Sequence, residues 1–250
     1  MKNKKSLGQH WLKDRRVLDE IAGLAVVKDV TTCLEIGPGL GTLTSALLRR
    51  FSKVIAVEYD TNLATKLPAS FPGKDLTVLN QDFLTFDFSN LPQNYVVAGN
   101  IPYYITSPII AKLLTAHPAP KRIVLLIQKE VAERILALSN QHSLLSLTVE
   151  NRAKVEPGFF VSRSLFTPPP KVDSATIVLT PRKNPLVSDA VLELAATGFK
   201  NPRKKLIKNL PYEKPRLLAA FKELGLSENV RPANLTLKDW KTLADLLKTR

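Results

Sequence analysis

The first 180 residues alternate between short apolar runs and stretches in which apolar residues recur every three or four positions. The runs are almost wholly apolar, as is typical of strands buried on both faces. They are TTCLEIG, KVIAVEYD, LTVLNQD, YVVAGN and RIVLLIQ. The stretches with helical period are DRRVLDEIAGLAVV, GTLTSALLRRF, TNLATKLPASF, SPIIAKLLTAH and KEVAERILALS. Strands that alternate with helices predict an α/β fold with a mostly parallel sheet covered on both faces.

The pattern changes towards the C-terminal end. In SLFTPPPKVDSATIVLTPR, three prolines precede a Val/Thr/Ile-rich run, which predicts a closing strand at the sheet edge. Strand patterns stop near TPRKNP, residues 180–185, and the later segments LVSDAVLELAATGF, KPRLLAAFKELGL and TLKDWKTLADLLKTR have helical period. The sequence therefore predicts two domains: residues 1–181, which begin with a basic segment, and a small basic helical domain, residues 182–250.

Positive charge is concentrated at the two ends of the chain. The net charge is +14, of which residues 1–16 contribute six Lys/Arg against one acid and residues 182–250 contribute 15 Lys/Arg against seven acids. The part between them is nearly neutral, with 15 basic and 14 acidic residues. Solubility alone does not require clustered charge, so the distribution favours a polyanionic partner such as nucleic acid.

Composition excludes several classes of protein. The apolar fraction of 44% is too high for a disordered chain, and no apolar run approaches the roughly 20 residues that span a bilayer. The start, MKNKKSLGQHW, lacks the apolar core of a signal peptide. A single cysteine, Cys33, rules out an internal disulfide and a Cys-based zinc site. We expect a soluble, cytoplasmic protein that uses no metal.

Carboxylates follow the strands in a pattern that indicates a nucleoside ligand. CLEIGPGLGTLT is a glycine-rich turn with Gly37, Gly39 and Gly41, which allows a ligand to approach the backbone closely. The next strand ends in Glu58, 21 residues after Gly37, where a carboxylate can accept both hydroxyls of a ribose. Asp82, after a third strand, can accept a hydrogen bond from an adenine amino group.

Two cofactors fit a glycine-rich turn followed by an acid. A nicotinamide dinucleotide would call for G-x-G-x-x-G, whereas the spacing here is G-x-G-x-G with Pro38 between the first two glycines. The order of glycine turn, Glu58, Asp82 and Asn100 at successive strand ends is typical of methyltransferases. S-adenosylmethionine (AdoMet) has no pyrophosphate and needs no phosphate cradle, so we favour it over NAD.

The stretch GNIPYY, residues 99–104, indicates the group that accepts the methyl. An exocyclic purine amine is a poor nucleophile because its lone pair is delocalised into the ring. The side-chain oxygen of Asn100 and the carbonyl of Pro102 could accept its two N–H bonds and aim the lone pair at the methyl group. Tyr103 offers a flat face on which the base can stack.

Several motifs together identify a family. The segments SLGQHWL, LEIGPGLGTLT, AVEYD, NQDFL, GNIPYYITSPII, QKEVAERI and FTPPPKVDSATI resemble, in order over residues 5–180, the ribosomal RNA adenine N6,N6-dimethyltransferases. The resemblance implies a seven-stranded, Rossmann-like AdoMet methyltransferase domain with a small all-α domain after it. It also implies dimethylation of two adjacent adenosines near the 3′ end of small-subunit (16S) rRNA, late in subunit biogenesis, and we expect a monomer.

The resemblance also assigns residues. It implies AdoMet contacts from His10, Leu12, Gly37, Glu58, Asp82 and Asn100. It implies that the flipped base lies between Tyr103 and Phe166. Three departures stand out: His10 and Trp11 replace the usual Asn-Phe of GQNFL, Tyr104 replaces a common asparagine, and the loop after Ile135 is shorter than in the family.

A basic cluster in the tail is the expected RNA contact. It lies in FKNPRKKLIKNL, which is similar to the family's basic helix, and comprises Lys200, Arg203, Lys204, Lys205 and Lys208. A helix that begins at Pro202 would align these side chains in a stripe suited to a phosphate backbone.

Two other functions stay open at this point. One is the erythromycin-resistance type of dimethyltransferase, which modifies a large-subunit rRNA adenine and would show NIPYNISTDII in place of NIPYYITSPII. The other is a non-catalytic RNA-binding assembly factor that keeps the fold. The intact glycine turn and Asn100 favour an enzyme.

Overall fold

The structure is a computed structural model that describes residues 9–136 and 141–248. The strands are β1 Trp11–Leu12, β2 Thr32–Ile36, β3 Lys53–Glu58, β4 Leu76–Asn80, β5 Tyr95–Asn100, β6 Ile123–Gln128, β7 Ala153–Val161, β8 Phe166–Thr167 and β9 Ser174–Pro181. The α-helices are α1 Arg15–Leu24, α2 Thr42–Leu47, α3 Thr61–Lys66, α4 Thr106–Leu113, α5 Lys129–Ile135, α6 Leu144–Arg152, α7 Asp189–Gly198, α8 Lys214–Glu223 and α9 Leu237–Lys248.

In the described residues, seven strands form one sheet in the order β4-β3-β2-β5-β6-β9-β7. The first five are parallel, and β9 runs antiparallel to β6. This confirms the predicted α/β fold with a mostly parallel sheet. The chain leaves β2 towards β3 on one side and returns to β5 on the other, so β2 and β5 border the switch point of the sheet, where open α/β sheets bind ligands.

The predicted closing strand, β9, is not at the edge. The edge strand is β7, which the sequence analysis did not predict because Pro157 and Gly158 interrupt its apolar pattern. Gly158 is required there, since a Cβ would come within 2.0 Å of the Thr176 hydroxyl. The end of the helix predicted in KEVAERILALS reaches residues 137–139, which lie outside the described residues.

The chain divides into two compact units at positions that differ from the predicted boundary. The first unit includes residues 9–132 and 154–181, and the second includes the described parts of 133–153 and 182–250. Residues 133–153 belong with the helical unit because α6 inserts the fully buried Leu147 into its apolar core. The predicted break after Pro181 coincides with one boundary. The sequence did not predict that residues 133–153 belong to the second unit.

The second unit is helical, and its core surrounds the fully buried Trp240 on α9. Gly198 ends α7 against this ring, where a Cβ would come within 2.5 Å of the indole. The helix predicted from Pro202 does not form: residues 201–204 are turns, and a 3₁₀ turn covers Leu206–Lys208. The buried Leu206 and Leu210 anchor this segment, which explains why its local helical pattern did not decide its backbone.

The core of the first unit holds the strand ends that carry the predicted site. This core contains residues of α1, of α2 and of the sheet strands. It includes Cys33, whose burial the sequence predicted. Within the described residues, no helix has both the length and the apolar character that would carry it across a membrane.

Candidate active site

A cavity of about 330 Å³ lies at the carboxyl ends of the parallel strands of the first unit. Most of the site residues predicted from the sequence line this cavity. On the expected cofactor side, the lining includes His10, Gly37, Glu58, Asp82 and Asn100. On the expected substrate side, it includes Pro102 and Tyr103.

The glycine-rich turn forms the floor between β2 and α2. Its three glycines all have positive φ, 63° at Gly37, 58° at Gly39 and 79° at Gly41, a region that L side chains adopt only with strain. No atom lies within 4 Å of the place a Cβ would take at Gly37, so the backbone there is open to a ligand. At Gly39 a Cβ would come within 3.3 Å of Trp11 Nε1, which shows that this indole packs onto the turn.

Glu58 ends β3 and links two loops. Its Oε2 accepts from the N–H of Gly39 at 3.0 Å, and its Oε1 accepts from the N–H of Asp60 at 2.8 Å. Burial raises the pKa of this carboxyl, and the N–H groups of Asp60 and Gly39 oppose the rise. Because each carboxylate oxygen has a further lone pair, the side chain can also accept the two hydroxyls of a ribose.

Asp82 follows β4 and borders the same cavity. Its Oδ1 accepts from the N–H of Leu84 at 2.8 Å and caps the 3₁₀ turn Phe83–Thr85. The cap fixes the carboxylate in position, so the side chain is held where an adenine amino group could donate to it.

Glu35 is a site residue that sequence reasoning missed. It lies on β2, lines the cavity and is 1% exposed, yet neither carboxylate oxygen makes a hydrogen bond with the described residues. Burial raises its pKa to about 8, the nearby hydroxyl and N–H of Thr44 lower it in part although they do not meet hydrogen-bond geometry, and the charge of Glu58 adds to the rise. A carboxylate inside the otherwise apolar run TCLEI was the signal that could have revealed it.

The charge of the cavity discriminates between the two candidate cofactors. Glu35, Glu58 and Asp82 line it, whereas no Lys or Arg of the described residues does. A dinucleotide would bring two pyrophosphate charges next to carboxylates and find no cation there. AdoMet brings a sulfonium and an ammonium, and the buried Glu35 could ionise to pair with such a cation. The residues present therefore fit AdoMet.

Asn100 ends β5 with its amide held in one orientation. Its Nδ2 donates to the main-chain oxygen of His10 at 3.1 Å. A carbonyl oxygen only accepts, so this contact identifies the amide nitrogen and leaves Oδ1 as the acceptor on the other branch. The N-terminal segment thus fixes the side chain that the sequence assigned to the target amine.

Pro102 and Tyr103 continue the chain from Asn100 along the cavity wall. The carbonyl of Pro102 accepts one long bond, 3.3 Å, from the N–H of Ile105, and retains a second lone pair. Tyr103 Oη lies 2.7 Å from Ser174 Oγ, and burial raises the pKa of this phenol. The ring of Tyr103 stacks with that of His10, with centroids 6.0 Å apart and planes 20° apart.

Two predicted site residues do not reach the cavity. Phe166 and Leu12 are paired across the small β1–β8 sheet, and both are buried in the core. Phe166 is not among the residues that line the cavity, and the ring that stacks with Tyr103 here is that of His10, so a place for Phe166 beside the flipped base stays a prediction. The apolar neighbours of Phe166 bury its ring in the core of the first unit.

The remaining predicted residues are exposed. Tyr104, to which the sequence gave no catalytic role, lines the cavity and is 63% exposed. The basic cluster of the second unit is wholly exposed and comprises Lys200, Arg203, Lys204, Lys205 and Lys208. Residues 1–8, which carry part of the N-terminal charge, lie outside the described residues.

Comparison with known proteins gives full-length relatives. Residues 1–249 match the family model of ribosomal RNA adenine dimethylase. Ribosomal RNA small subunit methyltransferase A of Rippkaea orientalis is 39% identical over 98% of this chain and 98% of the relative. The protein of the same name from Gloeobacter violaceus is 41% identical over 97% and 93%.

Solved structures agree with this likeness. A dimethyladenosine transferase from Plasmodium falciparum superposes with a TM-score of 0.76 at 31% identity, over 94% of this chain and 96% of that one. The 23S rRNA methyltransferase ErmE gives 0.73 at 31% identity, over 96% and 100%. A family model matched over nearly the whole chain and relatives of equal length lead to one conclusion: this protein belongs to the ribosomal RNA adenine dimethylases, a family of AdoMet-dependent methyltransferases.

Proposed function

We propose that this protein transfers methyl groups from AdoMet to the N6 amines of two adjacent adenosines near the 3′ end of small-subunit rRNA. The product is N6,N6-dimethyladenosine at both positions. The observation that carries the chemistry is the fixed amide of Asn100 beside Tyr103 in an acidic cavity. The choice of the small subunit rests on full-length relatives named for that activity.

Four groups would hold the methyl donor. Glu58 would accept from the ribose hydroxyls, Asp82 from the adenine amine, and the open backbone at Gly37 would meet the methionine end. Glu35 would supply the counter-charge for the cationic end. Bound AdoMet supplies an electrophilic methyl group, and the protein's task is to bring an amine to it.

Asn100 and Pro102 would position that amine. The Oδ1 of Asn100 and the carbonyl of Pro102 each have capacity to accept one N–H of the exocyclic amine. Two accepted bonds turn the nitrogen lone pair out of conjugation and towards the methyl group. A strong base is unnecessary because the amine becomes acidic once it is methylated, so a neutral amide is sufficient.

Tyr103 and His10 would hold the flipped base. Removing an adenosine from its stack costs on the order of a few kcal/mol, and stacking on aromatic rings returns about 1–3 kcal/mol per base. Ser174 fixes the phenol of Tyr103, and the carbonyl of Pro168 accepts from Nδ1 of His10 at 2.8 Å. The two rings already stack on each other, with centroids 6.0 Å apart, so the base would stack on an outer face of this pair.

Docking of the subunit would use the basic cluster of the second unit. The five cations of this cluster are exposed on a turn and a short 3₁₀ segment. Phosphate contacts need exposed cations at intervals rather than a helix, so the changed backbone leaves this role in place. We infer that the protein acts as a monomer in the cytoplasm, late in small-subunit biogenesis.

Labelled AdoMet tests the proposal directly. Incubation with small subunits that lack the modification should label N6,N6-dimethyladenosine in the 3′-terminal fragment of the rRNA. Labelling of another nucleoside, or of none, would refute the proposal. If small subunits bind tightly but are not methylated, the protein is an assembly factor that has kept the fold.

A second candidate is dimethylation of large-subunit rRNA, favoured by the similarity to a 23S rRNA methyltransferase. Large-subunit rRNA offered in a parallel reaction distinguishes the two. Labelling of that rRNA alone would select the second candidate.

A further inference from the structure

The first unit exposes an aromatic ring at the edge of its sheet. Phe160 lies on the edge strand β7 and is 64% exposed. Its neighbour Phe159 packs against the core, so strand alternation directs Phe160 to the opposite face. The ring therefore contributes little to the core.

A cation covers this ring. The Nζ of Lys129, at the start of α5, lies 4.7 Å from the centroid of Phe160. The N–H of Lys129 donates to the carbonyl of Asp173 at 3.0 Å, which ties the helix start to the chain just before β9. A cation over an exposed ring is a contact of modest strength that a stacking ligand can extend or replace.

Two further cations, Arg163 and Lys171, lie in the chain between β7 and β9. Asp173 Oδ1 accepts from the N–H of Arg163 at 3.0 Å, so this carboxylate is used to hold backbone. Arg163 Nη1 donates to the carbonyl of Lys171 at 3.0 Å. We call Lys129, Phe160, Arg163 and Lys171 the Phe160 surface.

Contacts through Asp173 and Ser174 connect the Phe160 surface to Tyr103 in the wall of the cavity. Ser174, directly after Asp173, meets the phenol of Tyr103 at 2.7 Å. Asp173 is also close enough to contribute to the raised pKa of Tyr103. Asp173 and Ser174 thus lie between the surface and the ring on which the target base would stack.

We propose that the Phe160 surface binds single-stranded RNA that flanks the target adenosine. A neighbouring base stacks on Phe160, and the adjoining phosphates meet Lys129, Arg163 and Lys171. An exposed aromatic face with a cation over it and further cations in the neighbouring chain is a combination that sequence-tolerant single-strand binding uses. A protein partner would be expected to meet a broader apolar area than one ring. This inference rests on the proposed function, since it assigns the path of the same RNA.

Three variants of exposed apolar residues test the stacking contact. Phe160→Ala should weaken binding of a short labelled single strand with two adjacent adenosines roughly tenfold. Phe160→Trp should keep wild-type affinity because it keeps a stacking face. Val26→Ala removes an apolar side chain that is 46% exposed elsewhere in the first unit, and it should change nothing. AdoMet affinity and the melting temperature should stay at the wild-type value in all three.

A second pair of variants tests the charge. Lys129→Ala should weaken single-strand binding and reduce its salt dependence by about one phosphate contact. Lys74→Ala is the matched control, since that lysine is exposed next to β4, at the opposite edge of the sheet. It should leave both quantities unchanged.

The inference would be overturned by wild-type RNA affinity in both Phe160→Ala and Lys129→Ala, or by an equal loss in the control variants. Wild-type RNA affinity in Phe160→Ala combined with loss of an assembly interaction would assign the ring to a protein partner, and would overturn it as well. Failure of the proposed function is separate, since the wild-type protein would then not methylate small subunits at all.

Discussion

His10 stacks on Tyr103 with ring centroids 6.0 Å apart, although 93 positions separate the two residues along the chain. The same residue binds Asn100 through its main-chain oxygen, at 3.1 Å from the amide nitrogen. One residue of the N-terminal segment therefore supports both the ring and the amide of the GNIPYY stretch. From this relationship we predict that His10 helps to position the target base.

Substitution of His10 should affect the substrate more than the methyl donor. His10→Ala removes one stacking face and should lower kcat/KM for small subunits by roughly tenfold or more. His10→Phe keeps a ring and should recover most of the loss, while the main-chain contact with Asn100 persists in both variants. Fluorescence of 2-aminopurine in the target position reports the stacked base. A wild-type kcat/KM in His10→Ala would contradict stacking of the target base on this ring.

Asn100 should matter for transfer rather than for binding. Asn100→Ala loses the acceptor that orients the amine, so single-turnover methylation should fall by roughly 100-fold. Binding of small subunits should stay near wild type because the rRNA is held mainly by phosphate contacts. Rapid-quench assays with saturating AdoMet measure the first quantity and filter binding measures the second. Turnover within a few-fold of wild type would contradict the orienting role.

Glu58 should control affinity for AdoMet. Glu58→Ala should weaken it by about 1–3 kcal/mol, the scale for losing a charge-assisted hydrogen bond. The variant also loses two backbone contacts, at Gly39 and Asp60, so its melting temperature should fall. Glu58→Gln keeps an acceptor for one N–H and separates the two effects. Unchanged affinity by calorimetry in both variants would exclude Glu58 from the site.

Glu35 should make the stability of the ligand-free protein depend on pH. Its pKa is about 8 in the folded state against an ordinary value of 4.5, so between these two pH values the folded state binds more protons than the unfolded state. Stability contributed by this group should therefore decrease as pH rises through that window. Denaturant titrations should show the decrease in the wild-type protein and a flatter profile in Glu35→Gln. Equal profiles would mean that Glu35 is not protonated in the cavity.

AdoMet affinity should also depend on the ionisation of Glu35, but it should increase with pH where the stability decreases. Ionised Glu35 pairs with the cationic ligand, so affinity should rise as pH increases towards 8 and binding should release a proton. The proton release is measured by calorimetry in buffers of different ionisation enthalpy. Glu35→Gln should bind AdoMet more weakly and with a flatter pH profile, and a variant that releases the same number of protons would contradict the assignment.

The basic cluster of the second unit should govern docking. Reversal of Lys204, Lys205 and Lys208 to Glu should weaken binding of small subunits and flatten its salt dependence, with AdoMet affinity unchanged. The matched control reverses three other exposed lysines of the same unit, Lys222, Lys238 and Lys241. It changes the net charge equally but should retain more affinity. Equal losses in the two variants would indicate a long-range field rather than local contacts.

Several features followed from the sequence alone. The parallel strands, and with them the strand-end positions of Glu58 and Asn100, were predicted because runs of apolar β-formers admit few other structures. Parallel strands also place their carboxyl ends at one edge, so the meeting of Glu58, Asp82 and Asn100 in one cavity required no knowledge of the packing. Cys33 in the core followed from its apolar neighbours.

Other features were decided only by contacts between distant parts of the chain. The edge strand β7 pairs with β9 although its Pro157-Gly158 pair has low strand propensity. Hydrogen bonds to the neighbouring strand stabilise a conformation that these two residues do not favour locally. The segment at Lys204 turns because Leu206 and Leu210 are drawn into the core around Trp240, which overrides local helical spacing. The burial of Phe166 and the stacking of His10 on Tyr103 depend on the pairing of β1 with β8. A local pattern does not specify which distant ring fills a given space, because packing depends on shape and volume rather than on periodicity.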